Sequence, residues 1–482
     1  MRNSLILIVF FVLTAGFLQA HSGKARFHII IDTDGGLDDL RAITMMLSDP
    51  DFEVIAITTS DGLLRPKESY LKVKSLLKEF GHDGIPVAYG KTINKRESVC
   101  HSICNSVNWG AEDNISIPEN PKAFDLLKYE MNNEDEKIIF ICLGPLTNIA
   151  EIVNDEDLKN RIDKVLWYCD DYQNDIGFNL QMDKKSADLV FRSNVLKFII
   201  SSKDNSDLVF NHAYLNKIKE LNNVYSNRIV ESHKCETLQE NLSNDFYKLW
   251  DDLLAIYLIN PELFTVETMD NGTFFVKQQK ESTAEIEKTY LNILSSKYSK
   301  ENKVFKTFPT EPDQFADDLQ KEMNEIIVRY GLSEWRAGVL TNELHGHLGI
   351  YAIIGVKMGI RVRQYFNIGV DEIHITSFGG FQPPISCMND GLQVGTGSTI
   401  GHGLIKISDE NVNRPEAIFE FKNRKVKLRL KDEYWDLIKK DVQQCIKDNG
   451  NLTPEYWLNL RILAIKYWKD FDRMEIFEII EI

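Results

Sequence analysis

From Phe27 onward, short apolar runs alternate with segments whose apolar residues recur at helical spacing. FHIIID, FEVIAITTS, IPVAYG, KIIFICLG and KVLWYC are apolar runs of strand length. LRAITMMLSD, ESYLKVKSLLKEFG, LTNIAEIVN and SADLVFRS are interleaved with them and read as helices. The alternation predicts an α/β fold, a mostly parallel sheet with helices on both faces. Such sheets bind ligands beyond the carboxyl ends of their strands, where the acidic and glycine residues of this chain gather. Glu267–Lys303 is polar and weakly periodic and reads as an insertion or a lid. DQFADDLQKEMNEIIVRYG reads as a helix ending at Gly331, after which the chain becomes rich in His and Gly. The expected division is a leader at 1–20, an α/β domain at 24–331 and a second domain at 332–482.

With 482 residues, 43% hydrophobic and 10% aromatic, the chain has material for two or three cores, which excludes disorder and a small disulfide-stapled scaffold. Lys and Arg number 56 against 72 Asp and Glu, a net charge of −16. That balance argues against a nucleic-acid partner, because phosphate binding wants a basic surface. Met1–Ala20 places one basic residue, Arg2, before a short apolar run that exits at a small residue. This is the pattern of a secretory leader, with an uncleaved anchor as the alternative. It predicts export, to the periplasm or the medium, with no stable membrane insertion after cleavage. The seven cysteines leave at least one thiol unpaired. Cys100 and Cys104 flank His101 but lack two further ligands at zinc spacing, so a loop disulfide or two plain thiols is the simpler reading.

The strongest local signal is IIIDTDGGLDDLRAI, with Asp32, Asp34, Asp38 and Asp39 inside eight residues. Asp32 and Asp34 share one face of a strand end. Gly35 and Gly36 permit a tight turn, and Asp38 and Asp39 open a helix, where the dipole favours anions. Four carboxylates this close repel unless a cation holds them. Calcium or magnesium suits all-oxygen ligands best. A helix cap needs only one carboxylate. An EF-hand needs Glu where Ile43 stands. A magnesium-dependent phosphatase of the haloacid dehalogenase type, with Asp32 as nucleophile, is a further alternative, although that family has Thr or Val where this chain has Gly36.

These residues resemble the inosine–uridine-preferring nucleoside hydrolase family, whose hallmark is Asp-x-Asp-Pro-Gly-x-Asp-Asp; Gly35 stands for the proline. AITT at 56–59, LGPLTNIA at 143–150, FNLQMDKKSADLVF and WDDLLAIYLINPELF resemble further family blocks in the same order, over about residues 26–330. The resemblance implies calcium held by Asp34, Asp39, Asp251 and the Leu143 carbonyl, with Asp34 also taking a proton from the attacking water. It implies that Asp38 and Asn179 hold ribose hydroxyls. Three positions depart from the pattern: Leu63 replaces an Asn, Gly177 a Glu, and Trp250 the His that helps the base leave. An indole cannot transfer a proton at neutral pH, and His101 and Asp175 are the candidate substitutes. Trp250 reads either as a stacking surface for substrate or as core packing.

ELHGHLGIYAIIGVKMG, ISCMNDGLQVGTGSTIGHGLI and EAIFEFKNRKVKLRL resemble the FmdE-like family over about residues 335–435. That resemblance implies a compact α+β domain and a zinc site at His345, His347 and Cys387, with Asp390 also matching, although Gly349 and Ser398 stand where the family has cysteines. The combined expectation is an exported, calcium-dependent N-glycosidase-like hydrolase acting on a nucleoside or related N-riboside, with an appended zinc-binding module. A non-catalytic nucleoside or sugar binder is the alternative of a different class. The expected partner is a small-molecule glycoside, and homo-oligomerisation is left open.

Overall fold

The computed structural model describes residues 25–482 apart from 94–96, 113–114, 120–121, 171, 175, 203–206, 280–281, 296–303, 306 and 411. The expected leader and Asp175 lie outside the described residues.

Eight strands form the first sheet: β1 (Phe27–Thr33), β2 (Phe52–Thr59), β3 (Val87–Tyr89), β4 (Ile138–Cys142), β5 (Ile162–Tyr168), β6 (Leu196–Ser201), β7 (Phe264–Thr268) and β8 (Thr273–Gln278). Their order is β3-β2-β1-β4-β5-β6-β8-β7. All neighbours pair in parallel except β7 with β8. β1 explains the unbroken apolar runs. Ile29 and Ile31 enter one core while Ile30 enters the other, because successive side chains leave opposite faces of a strand. The helices α1 (Leu37–Ser48), Asp252–Ile259 and Thr283–Leu294 cover one face, and Ala123–Asn133, Thr147–Val153 and Lys184–Arg192 cover the other.

The insertion or lid expected at Glu267–Lys303 is corrected by its described part. This stretch contains β8, which completes the parallel array against β6, and the helix Thr283–Leu294, whose Ile286, Tyr290, Ile293 and Leu294 are fully buried. Half-buried Lys277 and the polar face of the helix masked its apolar positions.

The second domain has a mixed sheet of β9 (His374–Ser377), β10 (Ile405–Ile407), β11 (Glu416–Phe421), β12 (Arg424–Leu430) and β13 (Phe477–Glu481), in the order β10-β9-β11-β12-β13. Its glycines pack helices. A Cβ on Gly355 or Gly391 would overlap the Met388 or Ala352 carbonyl where the helices Ile350–Phe366 and Met388–Thr396 cross. The expected helix ends at Gly331, whose backbone is not helical (φ 83°, ψ 164°), and a second helix follows at once to His345. Met323, Ile326 and Tyr330 join Trp335 in the second core, so the packing of this domain begins before residue 332.

The second domain docks on the amino ends of the first sheet. Lys422, in the β11–β12 turn, forms ion pairs with Glu53 at the start of β2 and Glu134 just before β4. His28 of β1 lies 3.3 Å from Glu134 and 3.5 Å from Glu53. Arg361 donates to the Gly81 carbonyl (2.9 Å), Gln364 to that of Phe80 (2.9 Å), and the Gly84 amide to that of Tyr365 (2.9 Å).

Candidate active site

At the opposite, carboxyl end, β1 delivers Asp32 and Thr33, the chain turns at Asp34–Gly36, and α1 opens with Asp38 and Asp39 in its first turn. Gly35 has φ 81°, a value closed to proline, whose ring locks φ near −65°. This turn therefore differs in kind from one built on Pro. A Cβ at Gly35 would also sit 2.5 Å from the Ser69 Oγ, and that hydroxyl donates to the Asp34 carbonyl at 2.8 Å.

Carboxylate oxygens of Asp38, Asp39 and Asp251 lie within 4.8 Å of one another. Asp39 Oδ2 accepts from Thr33 Oγ1 (2.6 Å) and the Asp34 amide (3.0 Å). Asp34 is buried against this group. The Leu63 and Gly36 amides point toward it without closing a full hydrogen bond, and both its carboxylate oxygens, like Asp251 Oδ1, are buried without a partner. Burial, then the neighbouring charges of Asp39 and Asp38, raises the Asp34 carboxyl well above the ordinary range. Burial and Asp39 push Asp38 up to about 7, and Asp251 is raised by burial and by Asp38 and Asp39. Four acids that resist ionising together call for a cation.

The surroundings are cut to fit one. A Cβ on Gly62 would overlap the Asp34 carboxylate, and one on Gly36 would stand 2.5 Å from Asp39 Oδ1 and 3.0 Å from Asp38 Oδ1. Orphaned buried oxygens, glycines that clear the space and an all-oxygen donor set fit calcium. The carboxylates of Asp38, Asp39 and Asp251 come together here with that of Asp34 buried beside them, where the sequence expects Asp34, Asp39 and Asp251 to hold the ion. The fourth expected donor, the Leu143 carbonyl, follows β4 and accepts from Asn179 Nδ2 at 2.7 Å. Asn179 Nδ2 also reaches the Tyr168 carbonyl at 3.4 Å. The amide donors expected to grip a ribose are thus turned onto the backbone.

Sequence reasoning missed what aligns the two acidic helices. Arg41, on α1 behind Asp38, forms a fully buried pair with Asp252, next to Asp251, through contacts of 2.8 and 3.2 Å. Its guanidinium also lies 4.0 Å from the centroid of the Phe210 ring. A basic residue two positions after an acidic pair was the available signal. Asp32, the phosphatase-type nucleophile, is instead a support. Its Oδ1 accepts from Thr58 Oγ1 (2.6 Å) and Asn148 Nδ2 (2.7 Å), and burial pushes its carboxyl up to about 7. Two donors thus bind Asp32 Oδ1 into the sheet, the place of a support.

Trp250 is half-buried, packs against the core and meets exposed Phe246 edge-on at 6.4 Å. Leu63 Cδ1 would lie 2.8 Å from a Cβ on Gly36, so its methyl borders the carboxylates. The helix His101–Ser106 carries Cys104, whose thiol is raised by burial and then by the charges of Asp34 and Asp38. His101 Nε2 is 2.8 Å from Glu68, the neighbour of Ser69.

In the second domain His345 Nδ1 lies 2.7 Å from Asp390, and its buried Nε2 has no partner. A Cβ at Gly349 would stand 3.2 Å from that nitrogen. Among the described residues, no three His, Cys or carboxylate ligand atoms of this domain come within 4.8 Å of one another. The expected zinc trio is not gathered. His347 lies tilted against His345 (centroids 4.4 Å apart) and lines a cavity of about 410 Å³ with Leu348, Trp457 and Arg461, while Ser398 donates to the Ile373 carbonyl. With Gly349 and Ser398 in place of cysteines, nothing draws the remaining ligands together.

A mostly parallel α/β sheet with a buried carboxylate cluster at the carboxyl ends of its strands has the architecture that binds ligands at that edge. The chain belongs to the inosine-uridine preferring nucleoside hydrolase family, whose model matches residues 29–305, and residues 344–465 match the family described as FmdE, molybdenum formylmethanofuran dehydrogenase operon. Similar proteins include a non-specific ribonucleoside hydrolase of Salmonella paratyphi B, 26% identical over 51% of this chain and 82% of the relative. A pyrimidine-specific ribonucleoside hydrolase of Klebsiella pneumoniae is 24% identical over 49% and 81%. Among solved structures, a purine-preferring ribonucleoside hydrolase from Gardnerella vaginalis aligns at 17% identity with a TM-score of 0.46, covering 56% of this chain and 99% of that one.

Proposed function

We propose that the first domain is a calcium-dependent N-glycosidase that cleaves a nucleoside or related N-riboside, working after export directed by residues 1–20. The observation that carries this reading is the set of buried, unpartnered carboxylate oxygens on Asp34 and Asp251 beside Asp38 and Asp39. Calcium, when bound, supplies fixed positive charge that acidifies a water and orients the sugar. Asp34 is the base that takes the proton from the attacking water. Asp38 accepts a hydroxyl of the sugar. The carboxylates together stabilise the positive charge that develops at the anomeric carbon as the glycosidic bond breaks. Trp250 offers the departing group a ring face and no proton.

His101 takes the role of acid. His28 lies at the opposite end of the sheet, His82 and His233 are buried and held below the ordinary range by desolvation, and His212 is out at Ser243. His101 alone among the described histidines of this domain lies on the helix that carries Cys104, and Glu68 braces its Nε2.

The test is a screen of nucleosides and nitrophenyl ribosides with and without calcium. Asp34→Asn should lower turnover by about 10²–10⁴-fold. Nucleoside binding with no turnover of any glycoside would instead establish the non-catalytic binder, the reading favoured by Trp250. Export is tested by sequencing the amino terminus of the mature protein, which should begin after residue 20.

A further inference from the structure

The helix Pro454–Asp470 gives one side to the second core, where Ala464, Tyr467 and Trp468 are buried. Its other side carries Glu455, Leu458, Ile462 and Lys466, all exposed. Steps of three, four and four residues set these side chains in one stripe along the helix. Leu458 and Ile462 keep 60% and 53% of their surface in water, and Trp457 beside them keeps 44%. Trp457 and Leu458 also line the cavity of about 410 Å³, together with His347, Leu348, Leu460 and Arg461. An isolated exposed leucine is ordinary. Three large apolar side chains on successive turns, opening on a cavity, are a surface for a partner.

The order along the stripe names that partner. It runs acid, apolar, apolar, base, with the two charges about 16 Å apart along the helix axis. The midpoint of Glu455 and Lys466 and that of Leu458 and Ile462 fall together, at Leu460–Arg461. A second copy of the helix, turned end over end about a two-fold axis there, sets its base on this acid, its acid on this base and apolar against apolar. A parallel copy would set like charge on like. Lys466 can change partner, because its contact with Asp441 is 3.6 Å long and half in water, a pair of little strength. Arg461 is held by Asp318 at 2.5 and 2.8 Å and frames the edge of the stripe. We propose that this helix is a homodimer interface, packed antiparallel to its own copy across a two-fold axis. One helix face falls short of the ~800 Å² per partner of a standard stable complex, so the dimer is a reversible one. The inference is independent of the chemistry proposed for the first domain.

A chain of net charge −16 repels its copies at long range, so the measurement is made at physiological salt, where the Debye length is about 8 Å. Sedimentation velocity of the full chain as exported, from about 10⁻⁶ to 10⁻⁴ M, should show monomer passing into dimer. Glu455→Lys and Lys466→Glu should each weaken the dimer by about tenfold or more, by facing like charges across the axis. The double variant should recover the association of the wild type. Ile462→Asp should give monomer throughout, and far-ultraviolet circular dichroism shows that each variant is folded. A wild-type chain that stays monomeric would overturn the proposal. So would association that survives Ile462→Asp and both single reversals, or a double reversal no tighter than the singles.

Discussion

Burial makes the site carboxylates poor anions, and that sets how the metal-free protein responds to pH. A carboxyl raised to about 7, as Asp38 is, keeps a proton in the folded state that the unfolded chain has already lost. Its contribution to stability is full below the unfolded value near 4 and disappears as pH rises through 7. Calcium takes over from those protons. The melting temperature of the chelated protein should therefore fall between pH 5 and 8, while the gap to the calcium-loaded protein widens. A gap independent of pH would contradict the assignment. Asp39→Ala should abolish both the gap and the bound calcium measured by elemental analysis. At the leaving-group side, His101→Asn should slow inosine-like substrates with poor leaving groups and barely touch nitrophenyl ribosides. Equal losses on both would remove His101 from the mechanism.

Among elements, the Arg41–Asp252 pair has the largest structural duty, because it fixes the start of α1 against the helix that begins after Asp251. Arg41→Met leaves Asp252 charged, buried and alone, a change worth about 3–5 kcal/mol. Urea unfolding should register that loss, and Asp252→Leu in the same chain should recover most of it. The same comparison marks how far the sequence could be read. β1 was legible because both its faces are buried and its run is almost purely apolar, and the acids after it were legible because like charges rarely crowd without a reason. β8 was illegible because its apolar run is only Phe274–Val276, closed by Lys277 and Gln278 and set in a polar stretch. Arg41 and Asp252 are separated by over two hundred residues, so their pairing is tertiary information. The donors of Asn179 matched a family pattern by letter, yet the fold gave them the Leu143 carbonyl. Around Gly349 the letters survived in part, but a metal site needs its ligands within one shell, and the lost thiols took that away.

At the scale of the molecule, the two domains are joined by buried charge. Burial opposes the charge on Glu134, but the hydrogen bond from His28 and the nearby Lys422 bring its carboxyl down to about 2. His28 is disfavoured by burial and still raised above its usual value by Glu134 and Glu53. Glu134 therefore gives stability above about pH 4.5 that is lost as pH falls toward 2. His28 gives stability below about 6.5 that is lost as pH rises through its own raised value. The junction should be tightest between those limits, and the protection of the Gly84 amide, bonded to the Tyr365 carbonyl, against hydrogen exchange relative to its intrinsic rate at each pH should be greatest there. Lys422→Met should speed that exchange at every pH and destabilise the whole chain by about 3–5 kcal/mol, since two carboxylates lose their counter-charge.

The turn that carries Lys422 also decides where this polypeptide tolerates a cut. The family match of the first domain ends at residue 305, which invites truncation there. A chain stopped at that point would present Glu53, Glu134 and the Phe80–Gly84 loop to solvent, stripped of the groups that now satisfy them. It should come out as an aggregating or loosened half rather than a minimal enzyme. Tethers and labels fare differently. Because the second domain grips only the amino ends of the strands, a surface or a tag attached to it holds the molecule from behind and leaves the carboxylate cleft facing open water.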